Sequence, residues 1–252
     1  MAADRRAQRS AARTAVVWDV LRSALADRAG GPAATTVLDI GGGTGGFAVP
    51  LAELGCTVEV VDPSPDSLAA LERRAAEAGV GERVRARQGD ASDVVALLGA
   101  AAVDLVVCHS VLEVVEDPEA ALRDLVAVLR PGGAVSVLVA NRTGATVARV
   151  AAGRLTEAGE MLRSATGVAG AGDPLRRRFT VEQLTKLVAA AGLGVVSTHG
   201  VRVFADSAPN AVLDADPAAL AELVALETAT AGDPAYFGVA AALHVLARKP
   251  PR

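Results

Sequence analysis

Apolar residues recur in short bursts along the first half of this chain, and each burst stops at glycine, proline or a polar residue. Val37, Leu38 and Ile40 form the first and halt at Gly41, Gly42 and Gly43. Phe47, Val49, Leu51 and Leu54 follow at helical spacing. Thr57 to Val61 is a second burst, ending at Asp62. Val84 to Gly89 is a third, with Asp90, Ala91 and Ser92 at its end. Ala102 to Cys108 is a fourth and runs into His109. Asp117 and Pro118 open an amphipathic helix through Leu129, Arg130-Pro131-Gly132-Gly133 ends it, and Ala134 to Ala140 is a fifth strand. This alternation predicts an α/β domain with a parallel sheet covered on both faces.

The rhythm breaks after Ala140. Residues 141–178 hold short helical stretches between glycines, together with the run Arg176-Arg177-Arg178, and read as an insertion serving as a lid or substrate platform. Thr180 then caps a helix bearing Val181, Leu184, Leu187, Val188 and Ala191, closed by Gly192. Leu193 to Phe204 and Val239 to Ala247 read as two late strands, with Pro217 to Ala229 helical between them. Ahead of the sheet, Val16, Val17, Val20, Leu21 and Leu25 form the apolar face of an N-terminal helix. The expected layout is a single domain over 1–252: a helical segment at 1–34, a ligand-binding core at 35–140, the insertion at 141–178, and the rest of the sheet at 179–252.

Bulk properties narrow the function. The 252 residues are 51% hydrophobic, enough for one α/β domain with a modest insertion. No apolar run approaches the roughly 20 residues that span a bilayer, so no membrane partner is expected. The net charge of −4 gives no global basic field for nucleic acid, and the 2% aromatic content disfavours base stacking. Two cysteines, Cys56 and Cys108, make neither a disulfide framework nor a metal site. They read as free thiols of a cytoplasmic protein.

The chemistry centres on the glycines. A side chain there would keep a ligand from the backbone and from the helix N-terminus. Gly41, Gly43 and Gly46 fit the dinucleotide form GxGxxG, while Asp39, Gly41, Gly43 and Gly45 fit DxGxGxG. Asp62 ends the second strand, where an acid grips ribose hydroxyls. Asp39 either faces the ligand or orients the glycine turn. Asp90 either contacts a base or caps the next helix. A dinucleotide-dependent oxidoreductase would need a Ser/Tyr/Lys-type set, and the only tyrosine, Tyr236, lies far from the predicted strand ends.

The order strand, HSVLEVVEDP, helix, LRPGG, strand resembles class I S-adenosylmethionine (SAM) methyltransferases, whose fold is Rossmann-like and mostly parallel with an antiparallel C-terminal strand. Arg13 with Trp18, LDIGGG, Gly200 to Phe204, Ala225 to Thr228 and His244 to Pro250 resemble, more closely, the bacterial tRNA carboxymethoxyuridine methyltransferases. That resemblance implies SAM contacts at Arg13, Gly41, Gly42, Asp62, Ala91, Ser92 and His109, and a tRNA substrate. The chain departs from that group at Ala140, where an aromatic residue is expected. It departs again at residues 160–173, where Arg163 is the only cation. The alternatives are a small-molecule O- or N-methyltransferase and a SAM-binding protein without catalysis. A carboxylate acceptor is ionised at pH 7 and needs a cation, not a base. Arg202, Arg142 and the triple arginine are the candidates, with Arg202 and His109 as the expected catalytic pair.

Overall fold

The computed structural model describes residues 2–209, 211, 213 and 216–251. The side chains of residues 2–10, Arg5, Arg6 and Arg9 among them, lie outside that description. Among the described residues, seven strands form one sheet: β1 (Thr36–Ile40), β2 (Thr57–Asp62), β3 (Val84–Gln88), β4 (Val103–His109), β5 (Leu129–Ala140), β6 (Gly194–Val201) and β7 (Ala242–Arg248). Their order is β3-β2-β1-β4-β5-β7-β6, parallel from β3 to β5 with antiparallel strands at the C-terminal end. The strand order reverses between β1 and β4, and in such sheets the ligand crevice opens beyond the carboxyl ends at that point.

The helices are α1 (Ala2–Ala26), α2 (Ala48–Glu53), α3 (Pro65–Glu77), α4 (Val94–Leu98), α5 (Pro118–Val128), α6 (Arg142–Ala151), α7 (Leu155–Arg163), α8 (Val181–Ala190), α9 (Pro217–Ala231) and α10 (Pro234–Phe237). Four start on the same device, a polar cap followed by proline: Ser64 before Pro65, Asp117 before Pro118, Asp216 before Pro217 and Asp233 before Pro234. Ser64 Oγ accepts from Ser67 N before Pro65, and Asp117 Oδ1 accepts from Glu119 N and Ala120 N before Pro118. For α8, Thr180 and Gln183 exchange side-chain-to-backbone bonds as a reciprocal cap. In α1, Val16, Val17, Leu21 and Leu25 are buried as expected, while Val20 is only partly so.

The chain divides into two compact units. One comprises Ser23–Leu138, Thr185–Val196 and Val245–Arg252. Its core is the apolar runs themselves: Val37, Leu38, Ile40, Val58, Val60, Val61 and Leu105 to Cys108 are almost wholly buried. Each such side chain contributes about 1.5–3 kcal/mol by leaving water. Buried Asp104 ties the amino ends of these strands, taking bonds from Arg28, Arg130 and the amide of Thr36. The other unit comprises Met1–Arg22, Val139–Leu184 and Ser197–His244. Asn141 caps α6 through Thr143 N and donates to the carbonyls of Phe237 and Ala240. Gly144 lets α6 lie against the Ala240 carbonyl, because a Cβ there would overlap that oxygen.

The sequence placed a turn at Arg130 to Gly133 and the next strand from Ala134. The structure starts β5 at Leu129. Val103 pairs with Leu129 and Leu105 with Ala134, so β5 advances five residues while β4 advances two. The proline and glycines are absorbed as an irregularity inside the strand, with Gly132 at φ 75°.

Candidate active site

The carboxyl ends of β1, β2, β3 and β4 gather most of the residues that the sequence singled out. Gly41, Gly43 and Gly45 take φ of 66°, 53° and 83°, a region that glycine enters without strain. The Gly41 amide donates to the Val61 carbonyl at 2.7 Å, holding the turn to the end of β2. A Cβ on Gly41 would stand 2.7 Å from Val111, just past β4. A Cβ on Gly42 would stand 2.7 Å from Asp39 Oδ2 and 2.8 Å from Val60. The turn therefore fits only without side chains. Gly42→Ala is expected to destabilise the protein by about 1–3 kcal/mol through overpacking, read by urea denaturation.

Asp62 is 8% exposed and spends one bond from each oxygen on the backbone. Oδ2 accepts from Gly43 N at 2.9 Å, and Oδ1 from Ser64 N at 2.9 Å. One carboxylate thus fixes both the glycine turn and the cap of α3. Each oxygen retains a further lone pair, enough for the two hydroxyls of a ribose.

Asp39 lies beneath Gly42, buried, with Oδ2 lacking a hydrogen-bond partner. Burial pushes its carboxyl up to about 7, the Ala48 amide at the start of α2 opposes this, and the charge of Asp62 adds to it. This location puts the carboxyl against the Gly42 backbone, between the turn and the start of α2. At the end of β3, Asp90 Oδ1 takes both the amide and the hydroxyl of Ser92, which hold its carboxyl below the ordinary value. The cap of α4 is Asp93, not Asp90. Asp90, buried Ala91 and Ser92 line a cavity of about 320 Å³ together with Val115, Glu116 and Asp117.

His109 ends β4, one position beyond Cys108, which pairs with Ile40. Its Nε2 lies 2.8 Å from Ser136 Oγ, and its ring meets Phe47 edge to face at 4.6 Å. Burial pushes the imidazole down to about 3, so it is neutral wherever the protein would be assayed. Ser136 was missed at the sequence level, although a single hydroxyl inside Ala134 to Ala140 marks a strand position that is not pure core.

Arg13 and Arg202 belong to the other unit, where Asp206 bridges them: Oδ1 to Arg13, Oδ2 to Arg202 Nε at 3.8 Å. Two of the remaining cation candidates are committed elsewhere. Arg142 Nη2 donates to the carbonyls of Met161, Leu162 and Ser164. Arg178, expected as part of a solvated or substrate-binding run, is buried on Asp173 and the Gly167 carbonyl. Among the described residues, no cluster of three or more His, Cys, Asp or Glu could hold a metal, and no helix is long and apolar enough to cross a membrane.

Residues 38–137 match the methyltransferase domain family. The tRNA 5-carboxymethoxyuridine methyltransferase of Escherichia coli (strain K12) is 31% identical over 246 residues, covering 94% of this chain and 88% of that protein. The ubiquinone biosynthesis O-methyltransferase of Methylobacterium nodulans is 34% identical over 168 residues, covering 67% of this chain and 63% of that one. A SAM-dependent methyltransferase from Mesorhizobium loti shares the fold, with a TM-score of 0.59, 22% identity, and coverage of 92% of this chain and 96% of that structure. The glycine turn, the two-oxygen engagement of Asp62 and the relationship over nearly the full chain lead to one conclusion: this protein belongs to the family of class I SAM-dependent methyltransferases.

Proposed function

We propose that this methyltransferase esterifies a carboxylate, and that the carboxylate is the one on 5-carboxymethoxyuridine in tRNA. The observation that carries this reading is the disposition of the arginines. Arg202 keeps its guanidinium in a partly exposed ion pair with Asp206, while Arg142 and Arg178 are consumed by carbonyls and a buried acid. The relationship to the Escherichia coli enzyme supplies the nucleoside. Such an acceptor implies a cytoplasmic enzyme.

In this reading Asp62 accepts from the ribose hydroxyls, Gly41, Gly42 and Gly43 offer backbone to the ligand, and Asp39 braces the turn. Asp90, Ala91 and Ser92 line the adenine end. SAM supplies a methyl group on a sulfonium, ready for in-line displacement. The acceptor oxygen carries its own negative charge, so no proton moves. Arg202 orients that oxygen through paired donors. His109 packs and shapes the site. A neutral imidazole whose pKa burial has lowered to about 3 is a poor proton acceptor at pH 7.

His109→Asn is therefore expected to keep activity within about tenfold, with a rate that stays flat above pH 6. A base with a tuned pKa would instead cost about 10²–10⁴-fold on removal. Stability should respond too. The imidazole's folded pKa lies below its ordinary 6.5, so it contributes stability above pH 6.5 that is lost as pH falls toward 3. The asparagine variant should lose less stability than wild type over that window, as read by thermal melts.

The ubiquinone O-methyltransferase relatives favour a second reading, a hydroxyl acceptor that must lose a proton. Nucleoside mass spectrometry of tRNA from cells with and without the protein separates the two. The methyl ester of carboxymethoxyuridine should disappear with the gene. An unchanged nucleoside profile would remove tRNA as the substrate.

A further inference from the structure

We infer that Glu227 is a positioning residue for Arg202, holding the backbone that presents this guanidinium. The inference rests on the reading that Arg202 grips the acceptor carboxylate. Glu227 lies on α9 and is 1% exposed. A buried carboxylate is costly unless its lone pairs are filled. Here three successive amides fill them. Oε2 accepts from Val203 N at 2.9 Å, and Oε1 accepts from Phe204 N and Ala205 N, each at 2.8 Å. The three amides converge on one anion as a nest.

The residue just before that nest is Arg202, and its backbone is unusual. Its φ is 58°, a left-handed value that a long L side chain rarely adopts unless its neighbours impose it. Its carbonyl accepts from Ala241 N at 3.2 Å. Arg202 is thus clamped on its carbonyl side by the start of the β7 segment and beyond by Glu227. Released from the clamp, the residue would relax to negative φ and swing the guanidinium off its line. In the clamped state Nε faces Asp206, four residues on, whose other oxygen holds Arg13. Two arginines sharing one carboxylate leave a net positive charge, suited to an incoming carboxylate. Bidentate recognition by arginine depends on orientation as well as charge, so the element that sets orientation sets acceptor affinity.

A merely structural Glu227 would stabilise the loop without acting through Arg202. A double-mutant cycle separates the roles. Glu227→Gln keeps the shape but turns an NH₂ toward an amide that needs an acceptor. With SAM and tRNA from cells lacking this protein, Glu227→Gln should raise the acceptor KM at least tenfold and leave the SAM KM within twofold. In an Arg202→Ala background the same change should move the acceptor KM less than twofold. Equal losses in both backgrounds, or a SAM KM rising in step, would overturn the inference. Order at Arg202 gives a readout that needs no acceptor: the ¹⁵N heteronuclear NOE of its Nε–H, assigned through Arg202→Lys. It should be high in wild type and drop in Glu227→Gln, or in Glu227→Asp should the glutamine variant not fold. If tRNA accepts no methyl group, the proposed acceptor falls while this NOE still tests the clamp. An unchanged NOE in the variants would overturn it.

Discussion

Asp62→Ala is expected to weaken SAM binding by at least about 100-fold, or about 3 kcal/mol. Two effects combine. The variant loses the charge-assisted bonds proposed to the ribose hydroxyls, each worth about 1.5–3 kcal/mol. It also frees the amides of Gly43 and Ser64, which Asp62 now holds at 2.9 Å each. The glycine turn then loses its tie at Gly43 and keeps that of the Gly41 amide to Val61, so the backbone that should meet the ligand is less firmly preset. Asp62→Asn keeps one acceptor oxygen and should fall between wild type and alanine. Calorimetric titration with SAM reads the effect, with NAD as the control expected to give no heat. Far-UV circular dichroism should be unchanged, because the strands are held by the apolar core. SAM affinity within twofold of wild type would mean that Asp62 is not the ribose ligand.

The second large effect is on stability. Asp173→Ala should destabilise its unit by about 3–5 kcal/mol, the cost of stranding a buried charge. Arg178 meets both oxygens of Asp173, at 2.6 and 3.1 Å, and is itself buried. Asp173 also takes the amides of Ala169 and Leu175, so one carboxylate organises the segment between α7 and α8. Burial pushes its carboxyl up, but Arg178 and these amides outweigh it and hold the carboxyl down at about 2. The folded pKa is below the ordinary 3.8. The stabilisation is therefore complete above pH 3.8 and lost as pH falls through about 2. Urea unfolding should show a constant gap between wild type and variant from pH 5 to 8, narrowing in acid. A gap under 1 kcal/mol at pH 7 would show that the pair contributes little.

Sequence reasoning worked where structure is local. The β2 segment ends at Asp62, and the helix after Asp117-Pro118 starts there, because apolar runs and caps are short-range signals. It failed where partners are distant. The late strand was expected to run to Phe204, yet β6 stops at Val201, because Glu227, over twenty residues on, recruits the next amides. The final strand was expected from Val239, but α10 and its trailing turn hold that residue and β7 starts at Ala242. The triple arginine looked uniform in sequence, and only folding distinguishes buried Arg178 from exposed Arg176. In the site, Gly41 to Gly43, Asp62 and His109 were legible as strand-end chemistry. Ser136 and Glu227 were not, since each acts through a residue far away in the chain.

The most direct test of the proposed chemistry is the bond that the methyl group ends on. Purified protein, SAM labelled in its methyl group and tRNA from cells lacking the protein are incubated together, and the recovered tRNA is treated with mild alkali. A methyl ester is hydrolysed and its label leaves as volatile methanol, which is the result expected here. Label that stays on the nucleoside through alkali would place the methyl on nitrogen or on an ether oxygen and would contradict a carboxylate acceptor.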